Sequence, residues 1–117
     1  MEDNQLKLED LFSILNLVLE DKVFYGSNVY DNEDNASMPY IVYQEVNRRP
    51  IGYHDDLPIL YSSNAQITLV TKKKDKALEE SLEQELLKNG ICFSLISESH
   101  NSDKSINRVY EIKMEEI

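Results

Sequence analysis

The sequence predicts an α+β domain: a mainly antiparallel sheet of four or five strands with two helices packed on it. Three observations predict it. Leucines recur at three- and four-residue spacings in two separate segments, the period of a helix with one buried stripe. Between and after them, runs rich in β-branched and aromatic residues alternate with a period of two, as half-buried strands do. The chain, 117 residues long, is one domain, with length for a single small core.

The first helix is expected over Leu6–Asp21, where Leu8, Leu11, Phe12, Leu15, Val18 and Leu19 make one wide apolar face. Acids near its start, Glu2, Asp3, Glu9 and Asp10, suit the positive end of a helix dipole. Val23-Phe24-Tyr25 before Gly26 reads as a brief strand. Residues 27–37, SNVYDNEDNAS, read as a loop. Their acids imitate a calcium loop but lack its central glycine and closing glutamate, so no metal is expected there.

Pro39 opens the clearest strand, Tyr40–Asn47, because a first-position proline removes only a donor the ladder does not need. Ile41, Tyr43 and Glu45 fall on one face, and Tyr40, Val42, Gln44 and Val46 on the other. Apolar groups on both faces mean that both are at least partly covered. The next stretch, 48–58 (RRPIGYHDDLP), contains two prolines and a glycine and is expected to be a long loop, mobile in the isolated subunit and ordered in an assembly. Its Ile51, Tyr53 and Leu57 either receive a docking partner or fold back over the core; the residues alone leave both open.

Ala65–Thr71 is the central strand, and Asp75 stands as N-cap of the second helix. Leu78, Leu82 and Leu86 form that helix's stripe with Leu87 beside them, and Glu79, Glu80, Glu83 and Glu85 are expected on the opposite side. Asn89-Gly90 ends it. Ile91–Ser97 reads as a strand, Glu98–Ser105 as a polar turn, and Ile106–Met114 as a last strand with Tyr110, Ile112 and Met114 inward.

The net charge of −10 is unevenly placed. Residues 1–35 carry nine acids and two bases, residues 36–76 four and six, and residues 77–117 nine and four, or −7, +2 and −5. Such a surface repels nucleic acid at long range. The one basic run, Lys72-Lys73-Lys74-Asp75-Lys76, reads as a solvated turn, or else as a phosphate or protein contact. Cys92, the only cysteine, is expected as a buried thiol in a reducing compartment, between Ile91 and Phe93. No run of about 18 apolar residues predicts a membrane span, and the acidic start does not read as a signal peptide.

Chemistry has little to stand on. His54-Asp55-Asp56 and His100 with Asp103 are the sole local groupings of histidine and acid, and neighbours on extended backbone point apart, which disfavours a shared metal. There is no nucleophile elbow and no glycine-rich phosphate loop. An enzyme is not expected, nor a cofactor.

Pro39-Tyr40-Ile41-Val42-Tyr43, Ile67-Thr68-Leu69-Val70-Thr71-Lys72 and Glu79–Glu83, in that order and spacing, resemble phrases of the tail-terminator (tail-completion) proteins of long-tailed bacteriophages. The resemblance spans most of Leu6–Tyr110 and rests on structural phrases, not catalytic signatures. It implies a non-enzymatic virion protein, assembled in the host bacterial cytoplasm and placed at the head-proximal end of the tail. There it would form a hexameric ring on the tail-tube protein, stop tube polymerisation and meet the head–tail connector protein, with DNA only as passing cargo. Ring closure needs a heterologous contact, for which Arg48, Arg49, Pro50, Ile51, Tyr53, His54, Leu57 and Tyr61 are the candidate residues, extending a neighbour's sheet. A different neck protein (head-closure or adaptor), an acidic DNA mimic, and a small hydrolase using His54 or His100 are the competing readings.

Overall fold

A computed structural model describes residues 8–26, 37–54 and 57–116, with the backbone alone at 51–54, 57–60, 115 and 116. The element order is α1 (Leu8–Val18), β1 (Val23–Tyr25), β2 (Tyr40–His54), β3 (Leu57–Thr71), α2 (Lys76–Lys88), β4 (Phe93–His100) and β5 (Ile106–Glu116). The five strands form one sheet in the order β1-β2-β3-β5-β4. Only β1–β2 is parallel; the other three pairings are antiparallel. The expected α+β class is the observed one. The loop imitating a calcium site lies, apart from Ser37, outside the described residues.

Alternation along the strands sets the core. Ile41 and Tyr43 of β2, Ala65, Ile67 and Leu69 of β3, and Tyr110, Ile112 and Met114 of β5 share one face and are buried beneath the two helices. From above, α1 contributes Leu11 and Leu15 and α2 contributes Leu82 and Leu86, all four fully buried. Each such side chain is worth about 2 kcal/mol in apolar area removed from water. Phe12, expected in the stripe of α1, lies at its margin, half-exposed and tilted against Tyr43 at 6.3 Å. The opposite face of the sheet carries Phe24 and Val70, both buried, and Tyr40, Val42 and Val109, half-buried.

Both helices end as their sequences direct. The Asp75 carboxylate accepts from the Leu78 N–H at 3.1 Å, satisfying a donor of the first turn of α2. At the other end Gly90 takes φ +75°. Gly90 N–H donates to the Leu87 carbonyl and Ile91 N–H to that of Leu86, both at 2.9 Å, a Schellman closure that also brings Ile91 into the core beside Leu86. After α1 the chain turns at Asp21, φ 65°, whose N–H is held by the Asn16 side chain.

The largest departure from expectation is at 48–58. Apart from Asp55 and Asp56, which are not described, these residues are strand and not loop. They lengthen β2 and β3 to 15 residues each, paired from Tyr40↔Val70 to His54↔Leu57. The prolines that argued against a strand are tolerated because β1 reaches no further than Tyr43 and β5 no further than Tyr61. Pro50 and Pro58 therefore lie on strand edges, where half of the N–H groups are not needed by a ladder.

Candidate interaction surface

Beyond the sheet body, β2 and β3 continue as a two-stranded ribbon, and the molecule measures 54 × 28 × 24 Å. A bulge at Val46, between the pairs Glu45↔Ala65 and Asn47↔Asn64, shapes its base. One extra residue reverses the alternation, so Arg48 and Pro50 take over the helix side from Ile41 and Tyr43. There the Arg48 guanidinium stacks 4.4 Å from the Tyr61 ring centroid. Arg49, exposed, sits on the other side opposite Ser62. The register continues Ile51↔Leu60, Tyr53↔Pro58 and His54↔Leu57. All eight residues named from sequence thus lie along two strands rather than one loop: Arg48, Arg49, Pro50 and Tyr61 where β5 still flanks β3, and Ile51, Tyr53, His54 and Leu57 on the two-stranded extension. Asp55 and Asp56, grouped with His54 in the sequence, are not described.

Two long strand edges stand open among the described residues. On the β1 side, β2 has no neighbouring strand after Tyr43. At the far side of the sheet, β4 pairs only with β5. It carries Leu95 and Ile96, and a bulge lies between Leu95 and Ser97, leaving Ile96 52% exposed.

A charged cluster, not foreseen from the sequence, closes the end of the core where α2, β4 and β5 meet. Arg108 donates from Nη1 to Glu98 at 2.6 Å, from Nη2 to Glu83 at 3.1 Å and from Nε to the Tyr110 hydroxyl at 2.6 Å. The Tyr110 hydroxyl donates to Glu83 at 2.7 Å. Lys74 bridges Glu79 at 2.9 Å and Glu98 at 3.0 Å. Hydrogen bonds from Lys74, His100 and Arg108 hold the Glu98 carboxyl down at about 2. Burial, joined by the bond to Glu83, pushes the Tyr110 phenol well above its ordinary value. Burial disfavours the Arg108 charge, but its bonds to Tyr110, Glu83 and Glu98 prevail and raise it.

The cluster overturns part of the sequence reading. Glu79, expected on the outer side of α2, is 4% exposed, and Glu83 also points inward to β5. The signal was available: Glu79, Leu82, Glu83 and Leu86 stand at i, i+3, i+4 and i+7, one helix face. Leu87, counted beside that stripe, is half-exposed. The expected turn at 98–105 is shorter, because Glu98–His100 belong to β4. His100 contacts Glu98 at 3.0 Å, while Asp103 accepts from Ser105, so that histidine and acid are not brought together. In the basic run Lys72 and Lys73 are solvated, whereas Lys74 belongs to the cluster. Cys92, expected buried, is exposed, since Gly90 turns the chain and β4 begins only at Phe93.

Among the described residues, no group of three or more His, Cys, Asp or Glu side chains is placed to hold a metal ion, and no helix is long and apolar enough to cross a membrane. The sequence matches no family model and no characterised protein.

Proposed function

We propose that this chain is a structural subunit of a tailed-bacteriophage particle, acting as a tail terminator. Copies form a hexameric ring on the head-proximal end of the tail tube, end its polymerisation and offer a surface for head–tail joining. The observation that carries this reading is the β2–β3 ribbon. A two-stranded ribbon is marginally stable alone in water, and its open edges are suited to lengthening another sheet. The order of elements also agrees with the resemblance: a leading helix, a strand starting at Tyr40 behind Pro39, a long excursion, a strand ending at Thr71, and a helix. The acidic DNA-mimic reading loses support because Glu79, Glu83 and Glu98 are paired with Arg108 and Lys74 and do not form a free acidic row.

The test is to mix the purified chain with tail-tube protein in the absence of heads. Rings seated at one tube end by electron microscopy, with tube growth arrested, are the expected result. Tubes that keep growing beside a monomeric chain would refute the proposal.

A further inference from the structure

Three arrangements invite a role beyond the one just proposed: the Arg108 cluster, the aromatic margin of Phe12, Tyr25 and Tyr43, and the pair of open strand edges. The buried polar atoms of the Arg108 cluster all have partners, so none is left aimed at a ligand. Phe12 and Tyr25 each pack against the Tyr43 ring, tilted and edge-on respectively, and nothing beside them indicates an occupant. The edges left open among the described residues go further, because they fit each other.

We infer that the joint between copies is β2 of one subunit, from Gln44 onward, laid antiparallel along β4 of the next, so that one sheet continues from subunit to subunit. This rests on the self-assembly reading above and names the surfaces that would perform it. The edges lie on opposite sides of the sheet, which a head-to-tail contact requires and a two-fold contact does not. Strand directions match as well. With β2 taken as up, β3 runs down, β5 up and β4 down. A second copy in the same orientation brings an upward β2 to a downward β4, which continues the antiparallel alternation. Lengths agree, since β4 has 8 residues and β2 runs for 11 from Gln44 to His54, of which Glu45 already donates its N–H to the Tyr25 hydroxyl at 3.5 Å and Pro50 has none to give.

The chemistry of the edges points the same way. From Phe93 to Ser97, β4 has neither a charge nor a proline, the usual guards of an exposed edge, and it shows Leu95 and Ile96 to solvent. Main-chain hydrogen bonds along the two edges would supply the contact, as in strand addition generally.

Aligning the strand centres sets Arg49 close to Ser97 of the neighbour. The experiment places Arg49→Cys and Ser97→Cys together in a Cys92→Ser background and treats the protein with a short bismaleimide. A slip of two residues, about 7 Å, stays within the linker's reach. The expected result is a ladder of cross-linked species extending past the dimer, lost on adding Ile96→Lys while the thermal melt is unchanged. Dimers that stop at two, formed equally by Ser97→Cys alone, would show β4 pairing with its own copy and overturn the inference. A ladder that survives Ile96→Lys would overturn it too. If rings form by microscopy and sedimentation but give no ladder, the joint lies elsewhere and the ring reading stands. If nothing larger than a monomer forms, even with tail tubes present, both fall.

Discussion

Arg108 and Glu98, on neighbouring strands and paired across the β4–β5 ladder, meet at 2.6 Å at an end of the core that is closed by charge. With the Tyr110 hydroxyl, which donates to Glu83 at 2.7 Å, this guanidinium ties the N-terminal half of α2 to β5. Replacing Arg108 by Ala leaves Glu79, nearly buried, with Lys74 alone, and leaves Glu83 with the Tyr110 hydroxyl alone. The expected loss in urea denaturation is about 2 kcal/mol, below the ~3–5 of a fully buried pair because the guanidinium is partly wet. Arg108→Lys should recover less than half, since a point-like ammonium cannot serve Nε, Nη1 and Nη2 partners together.

Tyr110→Phe isolates the hydroxyl. The ring keeps its packing against Phe93, 5.4 Å between centroids, so only the bonds to Glu83 and from Arg108 are lost. About 1 kcal/mol is expected. A double-mutant cycle with Glu83→Ala should show coupling, because each substitution alone removes the bond between them; additive effects would mean that the hydroxyl does not depend on Glu83.

Acid should unfold the protein through Glu98. Its folded value of about 2 lies below the ordinary 4.5. A depressed carboxyl gives stability that is fully present above the ordinary value and is lost as pH falls through the folded one. The urea midpoint should therefore be flat above pH 5 in this respect and fall between about 4.5 and 2. The Asp103 carboxyl, held down by the Ser105 hydroxyl and N–H, acts in the same direction. Glu98→Gln should flatten the acid limb relative to the parent chain, which titrations at matched ionic strength would reveal.

The elements of this fold were legible because each is written locally. Asp75 and Gly90 bracket α2, and the alternation of Tyr110, Ile112 and Met114 marks the inner side of β5. What escaped depended on partners distant in sequence. Pro50 and Gly52 argue for a loop until β3 is known to lie alongside, and the Glu79–Glu83 pair reads as solvent-facing until Arg108, 25 residues after Glu83, is brought opposite. The eight candidate residues were found together, yet their arrangement along two strand edges was invisible, because pairing register is not a local property.

Cys92 offers a direct check on the chain's path between α2 and β4. An exposed thiol at that position should react with Ellman's reagent to one equivalent without denaturant. Reaction only after adding urea would place Ile91–Phe93 deeper in the core than described. In an assembly joined along β4 the same thiol should react more slowly.

Gly90 separates backbone strain from packing. A Cβ added there meets nothing within 4 Å, so Gly90→Ala changes no contact and only forces an L side chain onto φ +75°. The expected cost is about 1 kcal/mol. Gly90→Asn should cost less, because asparagine tolerates the left-handed region. Leu82→Ala, at a fully buried position on the inner face of α2, should cost about 2–5 kcal/mol through the cavity left beneath the helix. Equal losses from Gly90→Ala and Leu82→Ala would contradict the Schellman closure, since strain at one exposed turn cannot match the removal of a core side chain.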